Sequence, residues 1–178
     1  MQSLYHYPLG ERFPQEADVI IEIPKDSRNK YEYEAETGNF RLDRVLSSPL
    51  HYVTEYGFFP QTLAGDGDPA DVLVPMEEAT FPGCIIRVRP IGILKMADEK
   101  GEDYKILAVP CKDRRYTEIT KHTDVSPHLL LEIEHFFQVY KNLDNLYPTI
   151  MGWEDEAFAK NYLLECHENF KKSALALK

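Results

Sequence analysis

The hydrophobic period of the chain changes once, near residue 126, and no other feature limits the fold as strongly. Up to that point apolar residues alternate with polar ones or run in short blocks, bounded by Gly, Pro and Asp. "DVIIEIP" (18–24) alternates around Glu22, and "NKYEYEAETGNFRLDRVL" (29–46) reads as a hairpin turning at "TGN". "GCIIRVRPIGILKM" (83–96) reads as a long strand in which Pro90 and Gly92 predict a bend or bulge, and "DYKILAVP" (103–110) answers it across an acidic turn. After residue 126 the spacing is helical. "SPHLLLEIEHFFQVYKNL" (126–143) begins with Ser126 as N-cap and Pro127 at the first helical position, and it repeats Leu129, Ile133, Phe136, Phe137 and Tyr140 on one face. "EDEAFAKNYLLECHENFKKS" (154–173) has an acidic first turn and ends on Lys171 and Lys172, both suited to the helix dipole. Strands followed by two helices make an α+β protein, with the helices packed on a curved sheet or barrel.

With 178 residues, 43% of them hydrophobic, and neither repeat nor linker-like break, the chain is expected to form one domain over 1–178. A formal charge of −10 disfavours nucleic acid, since affinity for its backbone comes mostly from Lys and Arg. Three cysteines, far apart and without a CxxC pair, point to a reducing compartment rather than a disulfide framework. Neither a signal peptide nor an apolar run of membrane-spanning length is evident, so the expected location is the cytoplasm, with no membrane partner.

"AGDGDPADVLVP" (64–75) places Asp66, Asp68 and Asp71 within six positions. One aspartate in such a turn is ordinary turn chemistry, but three together destabilise a fold unless protons or cations offset them. Oxygen ligands of this kind suit Mg²⁺, Mn²⁺ or Ca²⁺. An EF-hand counted from Asp66 fails, because Asp71 occupies the position that needs Gly. A second acidic turn, "LKMADEKGEDYK" (94–105), carries Asp98, Glu99, Glu102 and Asp103, flanked by Lys95 and Lys105. Alone it reads as a solvated hairpin tip; two such turns in one small domain suggest a shared metal site. Lys30, Arg44, Tyr52, Tyr56, Lys105, Tyr140 and Lys141 are scattered donors of the kind phosphate recognition uses. GxxxxGK[ST], GxGxxG, GxSxG and HExxH motifs are all missing, so any phosphate must be held by side chains rather than by a glycine-rich cradle.

"DGDPADVLV" resembles the signature of the soluble, type I inorganic pyrophosphatases. "VIIEIP", "KYE", "DR", "YGF", "RVRPIGILKMADEKGEDYKILAVP", "HFF..YK" and "GWE" follow in that family's order, so the likeness spans roughly Asp18 to Lys172 and is nearest the shorter bacterial form. The resemblance implies a five-stranded closed, OB-like barrel with helices outside, and Mg²⁺-dependent hydrolysis of pyrophosphate to two phosphates. Mn²⁺ or Zn²⁺ would substitute, and Ca²⁺ would bind but inhibit. It implies that Asp66, Asp71 and Asp103 hold a first metal, that Asp71 bridges to a second, and that Asp98 helps bind a metal brought with substrate. Glu22, Glu32 and Glu99 would line the same cavity. Lys30, Arg44, Tyr56, Lys105, Tyr140 and Lys141 would contact the phosphates, Tyr52 would support the site, and Asp68 would orient and deprotonate the attacking water. A homohexamer is implied, with His135 at an interface. The chain departs from the family's pattern at Glu55, where Asn commonly precedes the Tyr-Gly pair, and at "LYPTIMGW", which has no Lys before Gly152–Trp153. The alternative to an enzyme is a non-catalytic cation- or phosphate-binding module on the same barrel.

Overall fold

A computed structural model describes residues 3–176. Among the described residues nine strands run in chain order as β1 (Ala17–Ile23), β2 (Asn29–Glu34), β3 (Asn39–Val45), β4 (Glu55–Phe58), β5 (Asp71–Val74), β6 (Ile85–Asp98), β7 (Gly101–Glu102), β8 (Lys105–Pro110) and β9 (Thr149–Glu154). Two helices, α1 (Pro127–Val139) and α2 (Glu156–Ala176), complete the α+β architecture. The hairpin expected over 29–46 is β2–β3, and the bend expected at Pro90–Gly92 is a register shift where β6 pairs with β8. The second helix continues past Lys171 and Lys172, so these lysines do not occupy its last turn.

The main sheet closes on itself. β1 pairs with β4, β4 with β5, β5 with β8 and β8 with β6, and the first residues of β6 return to β1 through Ala17↔Val88 and Ile20↔Ile85. This five-strand ring needs a strand long enough to serve two neighbours. β6 does so with 14 residues, and its far half also takes β9. Four contacts of the ring are antiparallel, and β5–β8 is parallel. That pair is covered on both faces, which explains why "VLV" after Asp71 and "ILAVP" after Lys105 are continuously apolar instead of alternating. Val72, Val74, Ile106 and Ala108 pack in a cluster with Ala159, Leu163 and Cys166 of α2. Leu73, Leu107 and Val109, on the alternate face, pack with Ile133, Phe136 and Phe137 of α1.

Both helices are therefore held mainly by apolar burial, worth roughly 1.5–3 kcal/mol for each large side chain removed from water. α1 starts at Pro127, whose missing N–H costs nothing in a first turn. Asp155 caps α2 by accepting from the Phe158 N–H at 2.9 Å.

Candidate active site

One cleft of about 520 Å³ opens where the starts of β5 and β8, the ends of β1 and β6, the β2–β3 hairpin and the C-terminal end of α1 meet. The hairpin is anchored over the ring by the Tyr33 N–H, which donates to the Glu22 carboxylate at 2.7 Å. Glu22 lies where the β1–β4 register shifts, an irregularity of the kind that re-aims a side chain toward a site.

The first carboxylate turn is built locally. Gly67 has φ +94°, a conformation that favours glycine, and the Ala64 N–H closes the loop on the Asp68 carbonyl at 2.7 Å. The Asp66 carboxylate accepts from the Asp68 N–H at 3.1 Å, leaving the Asp68 side chain exposed at the cleft edge. Asp71 follows as the first residue of β5, and the parallel register sets it beside Lys105, the first residue of β8. The Lys105 ammonium is bonded to the carboxylates of both Asp71 and Asp103. On the other side, Lys141, just after α1, donates to Asp98 at 2.9 Å and to Glu99 at 3.2 Å. In the hairpin, Lys30 bonds Glu32, and Arg44 bonds Asp43 at 2.7 Å.

Glu22, Lys30, Glu32, Arg44, Tyr56, Asp66, Asp68, Asp71, Asp98, Glu99, Asp103, Lys105, Tyr140 and Lys141 all line this one cleft. Tyr52 stands behind it, fully packed, with its ring edge-on to Tyr56 at 5.6 Å and tilted against Phe136 at 4.9 Å. Lys95, which flanks the second acidic turn in sequence, does not reach the cleft. Lys105 lies opposite Leu94, so the next residue points to the other face, where the Lys95 ammonium sits 5.8 Å from the Tyr104 ring and 5.4 Å from that of Phe158. The lining also includes Tyr5, Asp43, Lys100, Asp144 and Leu146, to which the sequence assigned no role. The pairing of Lys30 with Arg44 across the hairpin could have pointed to Asp43, but Tyr5 and Leu146 carry no sequence signal.

The family model for inorganic pyrophosphatase matches residues 19–171.

This chain belongs to the inorganic pyrophosphatase family.

Among its relatives in the family, the inorganic pyrophosphatase of Synechocystis is 49% identical over 154 residues, covering 86% of this chain and 91% of the relative. That of Leifsonia xyli is 54% identical over 144 residues, covering 80% and 88%. The crystal structure of the inorganic pyrophosphatase from Thermus thermophilus superposes with a TM-score of 0.92 at 39% identity, over 95% of this chain and 99% of that one.

Electrostatics of the cleft follow from its charges. Ten carboxylates, those of Glu22, Glu32, Asp43, Asp66, Asp68, Asp71, Asp98, Glu99, Asp103 and Asp144, face five cations, those of Lys30, Arg44, Lys100, Lys105 and Lys141. Burial, with Asp66 beside it, pushes the Asp68 carboxyl above the ordinary aspartate range. Burial pushes Glu22 up to about 8 against the opposing Tyr33 hydrogen bond. Burial alone would lower Lys105, but Asp71 and Asp103 outweigh it and hold the ammonium protonated. Asp98 is drawn below its usual value, because Lys141 and the Lys100 N–H overcome its burial. Tyr56 is pushed well up by burial and by Asp71.

The donor set is all oxygen, crowded and in excess of the available cations, which fits hard divalent ions. Asp71 and Asp103 already converge on a single cation, the Lys105 ammonium. Among the described residues, no three acidic, His or Cys side chains are grouped as a metal cage. Lys105 and Lys141 draw the carboxylates toward themselves in pairs.

Glu55, the departure next to Tyr56, does not enter the cleft. Neighbouring residues of a strand face opposite sides, and Glu55 is completely buried on the far face, where its carboxylate accepts from the Thr80 N–H at 2.8 Å and from Thr80 Oγ1 at 2.6 Å. In the other departing segment, Leu146 faces the cleft.

Proposed function

We propose that this chain hydrolyses inorganic pyrophosphate, with one water, to two orthophosphates, using Mg²⁺. The observation that carries this reading is the meeting, in one cleft, of the Asp66–Asp68–Asp71 turn, the Asp98–Asp103 turn and the cations Lys30, Arg44, Lys105 and Lys141. A cleft with ten carboxylates would repel a polyanion, so pyrophosphate must enter with divalent cations. Asp66, Asp71 and Asp103 would hold one ion, with Asp71 shared with a second. Asp98 would meet an ion carried by substrate, and Glu22, Glu32 and Glu99 would complete the surroundings. When bound, these ions offset the carboxylates, attract the phosphates and lower the pKa of the attacking water.

The rest of the chemistry belongs to side chains of this chain. Asp68 is exposed at the cleft edge and is not bonded to any cation of the lining, so it is free to orient the water and take its proton. Its raised pKa makes it a better base than an ordinary surface aspartate. Lys30, Arg44, Lys105 and Lys141 bind the phosphates and stabilise the charge that builds on the leaving one. Tyr56 and Tyr140 stay protonated and donate, and Tyr52 fixes the Tyr56 ring.

The test is phosphate release from pyrophosphate by pure protein, with Mg²⁺ and with chelator. Release that depends on Mg²⁺ is expected, and its absence would sink the reading. Mn²⁺ or Zn²⁺ should replace Mg²⁺ in part, whereas Ca²⁺ should bind and support little turnover, because its longer, looser coordination places the water poorly. The same reading places the enzyme in the cytoplasm, in keeping with three free cysteines among the described residues. It also makes the enzyme a homohexamer. Leu131 is 60% exposed one turn before the exposed His135 on the outer face of α1, a surface suited to self-association. Light scattering decides the assembly.

A further inference from the structure

The five cations of the cleft differ in what already holds them. Lys30 is tied to Glu32 and Asp43, Arg44 to Asp43, Lys105 to Asp71 and Asp103, and Lys141 to Asp98 and Glu99. Lys100 differs. Among the described residues its ammonium has no carboxylate partner and no other acceptor, although it lines the same cleft.

The backbone explains why this side chain stands free. Lys100 sits at the tip of the turn between β6 and β7, and its own N–H donates to Asp98 Oδ1 at 2.8 Å. The next residue, Gly101, has φ +124° and lets the chain reverse at once. Backbone groups therefore fix the turn, and the side chain is left exposed at the cleft rim. There it lines the same cleft as the candidate base Asp68 and the four paired cations.

We propose that Lys100 is a substrate-binding residue of this cleft, its ammonium meeting a phosphate of the incoming polyanion. The other four cations must give up or share a carboxylate to touch phosphate. Lys100 gives up only solvent and some freedom of its long stem, so its charge is available on first encounter. The lining holds ten carboxylates, which repel phosphate, against five cations, and the segment before Gly152–Trp153 contributes Leu146 rather than a cation. Lys100 thus offers an incoming polyanion a positive charge that no carboxylate already holds.

The proposal rests on the pyrophosphate reading, and its experiment separates the two. Wild type, Lys100→Ala and Lys100→Arg are compared at saturating Mg²⁺. The readouts are steady-state kinetics on pyrophosphate, the salt dependence of kcat/KM, and calorimetric binding of the non-hydrolysable analogue methylenediphosphonate. Lys100 is exposed and makes no side-chain bond, so both variants should keep the fold. For Lys100→Ala, KM and the analogue Kd are expected to rise about fivefold, the size of one exposed charge contact, with the loss falling mainly on KM rather than kcat. Its kcat/KM should also fall less steeply with added salt, and Lys100→Arg should restore most of the affinity. An active wild type with unchanged KM and analogue Kd in Lys100→Ala would overturn this assignment alone, leaving Lys100 a solvated rim charge. An inactive wild type that also fails to bind the analogue would overturn both readings.

Discussion

Replacing Lys105 with Met tests whether the cleft depends on cations in the way its charge census implies. The Lys105 side chain is 3% exposed, and the carboxylates it joins, Asp71 and Asp103, are 21% and 14% exposed. Methionine keeps the length and apolar stem but removes the charge. Breaking a buried pair by deleting one partner costs about 3–5 kcal/mol, because the remaining charges are stranded. Solvent reaches Asp71 and Asp103 in part, so about 2–4 kcal/mol is expected without metal. For a chain of this size that lowers the melting temperature by roughly 5–15 °C. The deficit should depend on pH with a definite sign. Burial already raises the Asp103 carboxyl and Lys105 opposes that rise, so without Lys105 it climbs further, and the variant is stabilised by protonation at low pH and loses that stability as pH rises. The gap from wild type therefore widens with pH. Divalent ions should narrow it. An ion that binds only the native state adds about 2.7 kcal/mol at a hundred times its Kd, and the variant offers it two carboxylates that no lysine has neutralised. The assay is thermal or urea unfolding across pH in chelator and in Mg²⁺. A metal-free Lys105→Met as stable as wild type at neutral pH, or one gaining no more than wild type from Mg²⁺, would refute the idea that this ammonium offsets the cleft's charge.

Three further outcomes are expected. Asp68→Asn should reduce kcat by about 10²–10⁴, the usual span for removing a general base, while calorimetry still shows metal binding; near-normal turnover would remove Asp68 from that role. The Glu22 carboxyl is raised from 4.5 to about 8 by burial, so its contribution to metal-free stability is present at low pH and lost as pH climbs through about 8. Glu22→Gln should flatten the stability–pH curve over that window, and a parallel curve would contradict the assigned cause. Glu55→Ala strands the Thr80 N–H and hydroxyl and should destabilise by about 2–3 kcal/mol in urea melts while KM for pyrophosphate stays within about twofold. A collapse of turnover without loss of stability would show that Glu55 acts on the cleft after all.

Much of this protein can be read along the chain, because the determining physics is local. Alternation and continuous apolar blocks mark strands, helical spacing after residue 126 marks α1 and α2, and Pro127 and the Gly-Asp turns mark where elements begin. Crowding of Asp66, Asp68 and Asp71 within six positions already calls for protons or cations, since like charges that close cannot be left uncompensated. What the family resemblance added, the division of labour among those aspartates, is a proposal that chemistry must test.

Only the tertiary structure decided how the pieces meet. Return of the first residues of β6 to β1, and the parallel pairing that sets Asp71 beside Lys105, join residues far apart in sequence, and no local propensity encodes such contacts. The fold also chose sides. Glu55 and Tyr56 are neighbours, yet one is sealed against Thr80 and the other faces the cleft; Lys95 and Lys105 flank one acidic turn, yet only Lys105 reaches it. Alternation shows that a strand has two faces but not which one will look onto a site. That choice is settled by the strands and helices that pack against it, and it also placed Asp43 and Lys100 in the cleft.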